Sequence, residues 1–212
     1  MDFSLSEEQQ AIEDGVGDIC DKFDDNYWYT ADQDKRFPRE FVDALVKAGW
    51  TGITMPEEYG GAGLGITEAA IVVKRIGRLG GNAASSVHIN LFGPHPVVVF
   101  GTPEQKKRFL PPLIAGKDRT CFGVTEANVG LDTLRIKTFA VRKGDHYVVN
   151  GGKVWTSTAQ IANKILLITR TTKYEDAKRK TDGLTLFYTD FDRSKITVRE
   201  IPKMGRNAVD SN

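Results

Sequence analysis

The sequence predicts an α+β protein with two domains: an N-terminal all-α helical domain over residues 1–120 and an antiparallel β-barrel domain over residues 121–212. Two observations support this prediction. Up to residue 120, apolar residues recur every three or four positions behind helix-start signals. Beyond it, short stretches with alternating polarity are separated by turns, which is typical of antiparallel strands.

Helix-start signals locate the first helices. Ser6 begins a capping-box pattern with Gln9, in which two side chains satisfy N–H groups of the first turn. Pro38 suits the first turn of a second helix, which Gly49 would end. Behind Ser6, the spacing of the apolar residues predicts one buried helical face, formed by Ile12, Val16, Ile19 and Phe23.

The glycine-rich stretch Tyr59–Gly65 resembles a phosphate loop at first sight. A dinucleotide fingerprint needs a preceding strand and GxGxxG spacing, and neither is evident here. The stretch is therefore predicted to lead into the next helix. That helix is predicted to begin at Thr67 as N-cap, with Ile66 and Ile71 forming a hydrophobic staple.

Two further helices complete the first domain. Residues Ser85–Phe92 are predicted to be helical. Thr102-Pro103 is a clear helix start, with threonine as N-cap, proline at the first helical position and Gln105 closing a capping box. Because proline has no N–H and clashes with the preceding turn, Pro111-Pro112 is predicted to end this helix.

The second domain is predicted to consist of short strands. Asn150-Gly151 is a hairpin signal because both residues tolerate positive φ, and Lys143–Asp145 supplies another turn. The charged segment Lys173–Asp182 is predicted to be an exposed loop without chemistry. Frequent turns of this kind favour an antiparallel barrel or sandwich. The predicted strands are Thr138–Arg142, His146–Val149, Lys153–Ser157, Ile165–Thr169, Leu184–Thr189 and Ile196–Ile201.

Composition excludes several classes of function. A net charge of +1 leaves no electrostatic footprint for nucleic acid or an anionic membrane. The two cysteines and three histidines do not have the spacing of a metal site. No apolar run is long enough to span a bilayer, and the acidic start is unlike a secretory signal. We expect a cytoplasmic protein, with the mitochondrial matrix after removal of a leader as the alternative.

Two polar clusters of the second domain could hold a cofactor. They are Phe122–Asp132 (FGVTEANVGLD) and Lys153–Ala159 (KVWTSTA), and each combines hydroxyls with an aromatic residue or glycines. A flavin needs a flat apolar wall, donors to its ring and backbone N–H groups at its pyrophosphate. Ser, Thr and Gly are also the residues of ordinary turns, so composition alone leaves both interpretations open.

The order of motifs resembles that of the acyl-CoA dehydrogenases across nearly the whole chain. CFGVTEANVGLD is similar to the family's first flavin segment, VTEPGAGSD, and DHYVVNGGKVWTSTA is similar to its second, YVLNGEKMWITN. The family's opening helix, the loop after its second helix, its last N-terminal helix and its KMGxR segment are resembled by Ser4–Ile12, Ala48–Gly65, Gly101–Lys117 and Ile201–Asn212.

The resemblance implies FAD as cofactor and gives roles to residues of the first flavin segment. Phe122, Val124 and Thr125 would lie along the flavin, with Thr125 hydrogen-bonded to the ring. Gly130 would let the backbone approach the pyrophosphate. Leu131 stands where the family has a serine that contacts cofactor or substrate, and leucine cannot donate that hydrogen bond.

In the second segment the resemblance implies that Trp155 packs against the flavin, with Thr156 and Ser157 near its reactive edge. The family's catalytic base is a glutamate of a C-terminal helical domain, and this chain ends at Asn212 before such a domain. Glu126 is not a candidate, since its family counterpart is not the base. We therefore name no catalytic residue in this chain and expect little dehydrogenase turnover from it alone.

The function implied is α,β-dehydrogenation of an acyl-CoA thioester, as in fatty-acid β-oxidation, with an electron-transfer flavoprotein as acceptor and a homo-oligomeric assembly. An acyl-CoA oxidase or related flavin oxidase of the same fold is an alternative within the enzymes. A non-catalytic module that binds flavin or acyl-CoA is the alternative outside them. Chain length and branching of the acyl group are set by cavity shape, which the sequence does not show.

Overall fold

The computed structural model describes residues 4–80 and 83–212. Contacts divide the chain into two compact units, Met1–Arg119 with Pro202–Asp210 and Thr120–Ile201 with Ser211–Asn212. The sequence predicts one boundary near residue 120, which leaves Pro202–Asp210 in the second domain, whereas contacts assign this segment to the first unit. This segment lies on the helical unit, where the N–H groups of Asn207 and Ala208 donate to the Asp32 carboxylate.

The described part of the first unit is helical. The predicted helix Ser85–Phe92 forms as a 3₁₀ turn, Ala83–Ser86, followed by a short α-helix. Two more 3₁₀ turns are Trp50–Gly52 and Glu57–Tyr59. The α-helices are α1 Glu7–Cys20, α2 Asp25–Gln33, α3 Arg39–Lys47, α4 Ile66–Gly77, α5 His88–Phe92, α6 His95–Phe100 and α7 Pro103–Ile114.

The core of this unit lies where the helical pattern of α1 predicts it. Ile12, Val16 and Ile19 are buried against α3 and α4. Phe23 lies just beyond α1 and packs edge-on against Phe41, with ring centroids 5.2 Å apart. Burial of such side chains stabilises the fold by about 1.5–3 kcal/mol each.

Helix starts that depend on local side chains form as predicted in two cases. Ser6 and Thr102 each accept an N–H from the residue three positions on, at 3.2 and 3.3 Å, and both capping boxes are complete. The predicted N-cap Thr67 is wrong, because α4 begins two residues earlier. Gly65 is its N-cap and donates its own N–H to the Glu68 carboxylate at 3.1 Å, while no side chain caps the N–H groups of the first turn.

The prediction that Pro111-Pro112 ends α7 is also wrong. The helix continues through both prolines to Ile114, and the N–H of Ala115 closes its last turn on the Pro111 carbonyl at 3.0 Å. Because the two prolines have no N–H, the carbonyls of Lys107 and Arg108 lack their usual intrahelical donors, and the helix tolerates this in its last turns. Helix α2 was not predicted, although Asp24 caps it by accepting the Tyr27 N–H at 2.8 Å.

The described strands of the second unit form one five-stranded mixed sheet, which corrects the predicted antiparallel barrel. Strand β4 pairs with β5 antiparallel and with β1 and β2 parallel. The sheet is not closed. Alternating polarity reveals strands but not their directions, so the two parallel pairings could not be predicted. The strands are β1 Thr120–Gly123, β2 Phe139–Lys143, β3 His146–Asn150, β4 Lys164–Arg170 and β5 Leu184–Asp190.

The predicted turn at Lys143–Asp145 does join an antiparallel hairpin, β2–β3. The predicted strands Lys153–Ser157 and Ile196–Ile201 do not form, and Asn150-Gly151 therefore joins no hairpin. Trp155 and Thr158 have φ of +63° and +62°, left-handed values that a strand cannot accommodate. The backbone from Lys153 onward is instead an irregular segment.

Candidate functional site

The first candidate segment begins on β1 and ends in a tight turn. Phe122 pairs with Leu166 in parallel register, and the chain leaves the sheet after Gly123. The backbones of Glu126 and Val129 then exchange two hydrogen bonds of 3.0 Å. This turn brings the residues after Val129 to the surface.

The second candidate segment holds Trp155 in an unusual conformation. With φ of +63°, its backbone lies in a region that costs a non-glycine residue about 1–2 kcal/mol. Trp155 is 62% exposed, whereas the next residue, Thr156, is buried. Thr156 exchanges backbone hydrogen bonds of 3.0 Å with Asn212. The segment therefore presents a large aromatic surface to solvent from an anchored backbone.

The two segments lie side by side. The N–H of Val154 donates to the Thr125 carbonyl at 2.9 Å. The Lys153 ammonium donates to the Val124 carbonyl at 2.8 Å. Thr125 and Trp155 are thus brought close together by direct backbone and side-chain bonds, although they are 30 residues apart in sequence.

A buried ion pair reinforces this junction. Lys153 Nζ lies 2.9 Å from Glu126 Oε1, and each side chain is only 9% exposed. Glu126 also accepts the N–H groups of Lys137 and Thr138, at 2.6 and 2.9 Å. Burial alone raises the pKa of the Glu126 carboxyl, but hydrogen bonds from Thr138, Lys137 and Lys153 outweigh burial and lower the pKa from 4.5 to about 2. Burial lowers the pKa of Lys153, and Glu126 opposes that effect.

The predicted site residues differ in exposure. Thr156 is buried through its backbone pairing, while Leu131 and Trp155 are exposed. Gly130 is also exposed, and it lies with Leu131 beyond the turn rather than at the junction with the second segment. The remaining residues are half-buried: Phe122, Val124, Thr125 and Ser157.

The turn around Gly130 has the donors that a pyrophosphate requires. A side chain at Gly130 would meet no atom within 4 Å, so the protein itself does not require glycine there. In the described part of the chain, the N–H groups of Gly130 and Leu131 have no backbone acceptor. Exposed N–H donors, a hydroxyl and an open aromatic ring are the kinds of group that a flavin dinucleotide needs. The residues present fit this cofactor.

A separate cavity lies beside the second segment. It has a volume of about 710 Å³, and its walls include Val154 and Thr156, the two neighbours of Trp155. Apolar side chains of β4 and of residues 191–201 complete it. Trp155 itself does not line this cavity.

The sequence prediction missed the pair Glu126–Lys153. Both residues lie inside the predicted segments, but a lone carboxylate and a lone ammonium carry no signal that they meet. Gly123 was missed because its importance depends on residues that are distant in sequence. A Cβ there would lie 3.3 Å from Lys153 Cγ and 2.9 Å from Leu167 Cδ1.

Neither a membrane-spanning helix nor a group of metal-binding side chains is found among the described residues. Helices of the length and apolarity needed to cross a membrane are absent from residues 4–80 and 83–212. Within the same ranges, no three His, Cys, Asp or Glu side chains are grouped so that they could hold a metal ion.

Comparison with known families matches both halves of the chain. Residues 6–117 match the family model "Acyl-CoA dehydrogenase, N-terminal domain". Residues 121–212 match "Acyl-CoA dehydrogenase, middle domain".

Individual relatives agree with these matches. A probable acyl-CoA dehydrogenase of Bacillus subtilis, YngJ, is 35% identical over 179 residues, which cover 84% of this chain and 47% of the relative. A glutaryl-coenzyme A dehydrogenase solved with glutaryl-CoA has a TM-score of 0.90 at 28% identity, over 100% of this chain and 54% of that one. An acyl-CoA dehydrogenase of Bacillus anthracis solved with FAD has a TM-score of 0.82 at 26% identity, over 98% of this chain and 35% of that one. The chain spans about half the length of the curated relatives it matches.

Proposed function

This chain belongs to the acyl-CoA dehydrogenase family, and from that premise we propose that it carries the flavin-binding wall of an FAD-dependent enzyme that dehydrogenates an acyl-CoA thioester. One observation carries the proposal: the hydrogen bond from Val154 N–H to Thr125 O holds the two segments with flavin-site chemistry side by side. The FAD-bound structure of the B. anthracis relative supports the choice of cofactor.

The proposed roles are those that the family resemblance implies, and the exposure and hydrogen-bond donors of each residue are compatible with them. The open ring of Trp155 packs against the flavin, and the Thr125 hydroxyl donates to it. The free N–H groups of Gly130 and Leu131 bind the pyrophosphate. Bound flavin supplies a two-electron acceptor for the substrate's hydride. Thr156 and Ser157 hold the edge of the site next to Trp155.

No residue of this chain is proposed as the catalytic base. Both carboxylate oxygens of Glu126 accept hydrogen bonds inside the β-unit, from Lys137, Thr138 and Lys153. A carboxylate whose pKa is lowered to about 2 is also a weak proton acceptor at neutral pH. We therefore expect steady dye reduction by an acyl-CoA to be absent or very slow with this chain alone.

The names of relatives support the proposed substrate class. Several are acyl-CoA dehydrogenases, so the substrate is proposed to be an acyl-CoA. An electron-transfer flavoprotein is proposed as acceptor, a homo-oligomer as the assembly, and the bacterial cytoplasm or a mitochondrial matrix as the location. Fatty-acid oxidation is the proposed pathway class.

A titration of the purified chain with FAD tests the cofactor. We expect saturable quenching of flavin fluorescence and a protein-bound flavin absorption band, with weaker binding of riboflavin, which lacks the pyrophosphate. Trp155→Ala should weaken FAD binding. Tyr29→Ala removes an aromatic ring of similar exposure, 66%, from the helical unit and should leave binding unchanged. Equal affinity for FAD and riboflavin, or no binding of either, would contradict the proposal.

A further inference from the structure

The Glu126–Lys153 ion pair connects three stretches of backbone at one point: residues 124–126, residues 137–138 and Lys153. Through Glu126 it binds the N–H groups of Lys137 and Thr138, and through Lys153 it binds the Val124 carbonyl. Glu126 and Lys153 also belong to different flavin segments. The pair is therefore the side-chain counterpart of the backbone bond between Val154 and Thr125.

The lysine reaches this point because β1 gives it room. The Lys153 stem crosses β1 over Gly123, where a Cβ would stand 3.3 Å from Lys153 Cγ and 2.9 Å from Leu167 Cδ1. Few real Cβ contacts are that close, so a side chain at position 123 would push the lysine stem or Leu167 away. The position of Lys153 is thus specified by close packing as well as by charge.

Stability alone is a weak reason for this arrangement. Removing two charges from water costs several kcal/mol, and an apolar substitute of similar volume is often as stable as a buried ion pair. The specific effect of an ion pair with hydrogen bonds is to fix directions and distances. Here the fixed distance is the one between the backbone of Val124–Glu126 and that of Lys153–Trp155.

We infer that Glu126 and Lys153 are a positioning pair: they set the spacing between Thr125 and Trp155 and thereby the width of the flavin wall. This inference rests on the proposed function, which assigns one ligand, the flavin, to both segments. Neither residue touches the flavin. They act through Val124, Thr125 and Trp155.

Three lysine variants test the pair. Lys153→Met keeps the stem but removes the bonds to Glu126 and Val124, while Glu126 keeps its two backbone donors. Lys153→Arg keeps a cation that can rejoin Glu126. Lys143→Met changes an exposed lysine at the end of β2 and is the matched control. If Lys153→Met does not fold, Lys153→Gln, whose neutral amide can still donate hydrogen bonds, takes its place.

Two readouts are measured at a temperature where circular dichroism shows each variant folded. The first is the dissociation constant for FAD. The second, without FAD, is the fluorine NMR signal of Trp155 in protein labelled with fluorotryptophan, assigned by Trp155→Phe. We expect Lys153→Met to bind FAD on the order of tenfold more weakly and to shift the Trp155 signal. Lys153→Arg should recover most of the FAD affinity and most of the wild-type Trp155 signal position, and Lys143→Met should match the wild type in both readouts.

The outcomes separate this inference from the proposed function. A folded Lys153→Met protein with the wild-type FAD affinity and Trp155 signal would overturn the positioning pair, while FAD binding itself would stand. If the wild type does not bind FAD but its Trp155 signal still moves in Lys153→Met and returns in Lys153→Arg, the spacing role stands and FAD is the wrong ligand. Loss of stability without any change in Trp155 would assign the pair to folding alone.

Discussion

Arg170 holds the charged loop of the β-unit through backbone carbonyls, and replacing it with methionine should release that loop. The side chain is 2% exposed at the end of β4. Its guanidinium donates to Leu134 O twice, at 3.2 and 2.6 Å, and to Thr172, Lys180 and Asp182 O at 3.3, 2.6 and 3.0 Å. The predicted loop Lys173–Asp182 is thus anchored at both ends.

The expected cost of Arg170→Met follows from these bonds. Five hydrogen bonds contribute about 0.5–1.5 kcal/mol each. Removing a buried charge recovers part of its desolvation cost, and freed loop carbonyls regain water. We therefore expect the free energy of unfolding to fall by about 3 kcal/mol. The loop should also become accessible to protease before the rest of the unit.

Urea denaturation and limited trypsin digestion measure these two effects. Trypsin can cleave after Lys178, Arg179 or Lys180 once the loop opens. Arg199→Met, at an exposed arginine of the same unit, is the matched control and should change neither measurement. A loss below about 1 kcal/mol, or a loop as resistant to trypsin as in the wild type, would refute the anchoring role of Arg170.

Three further predictions concern single residues. The pKa of Glu126 in the folded protein is about 2, below its ordinary 4.5, so the ionised carboxylate stabilises the fold by about 3 kcal/mol. This stabilisation is complete above about pH 5 and is lost as the pH falls toward 2. In Glu126→Gln, the urea midpoint should depend less on pH across that window. Gly61→Ala should lower the free energy of unfolding in urea by more than about 2 kcal/mol, because its Cβ would stand 2.1 Å from Met55 O. Gly77→Ala is the control: its Cβ would meet nothing within 4 Å, and the free energy of unfolding should rise by up to about 1 kcal/mol. Trp155→Asn should leave the free energy of unfolding in urea unchanged or raise it by up to about 1 kcal/mol, because asparagine tolerates a φ of +63°. The same change should weaken FAD binding in the fluorescence titration.

Features that depend on neighbouring residues could be predicted from the sequence. The capping boxes at Ser6 and Thr102 form as predicted because their hydrogen bonds join residues three positions apart. The buried face of α1 follows from helical period alone. Strands β2 to β5 likewise form where alternating residues predict strands, whereas the four-residue β1 was missed.

Features that depend on distant partners could not. The parallel pairing of β1 with β4 joins residues more than forty positions apart, and no local pattern encodes its direction. The same holds for the contact between Glu126 and Lys153. Trp155 was predicted on a strand because its neighbours have strand propensity, but bonds from Val154 to Thr125 and from Thr156 to Asn212 hold it in a turn. Tertiary contacts override local preference there.

The central claim is that the Thr125 loop and the Trp155 segment form one wall of a flavin site. The most direct test is to add FAD to fluorotryptophan-labelled protein and follow its three tryptophan signals by fluorine NMR. The claim predicts a saturable shift of the Trp155 signal, with the signals of Trp28 and Trp50, which pack in the core of the helical unit, unchanged. FAD that binds without moving the Trp155 signal, or moves all three equally, would contradict it.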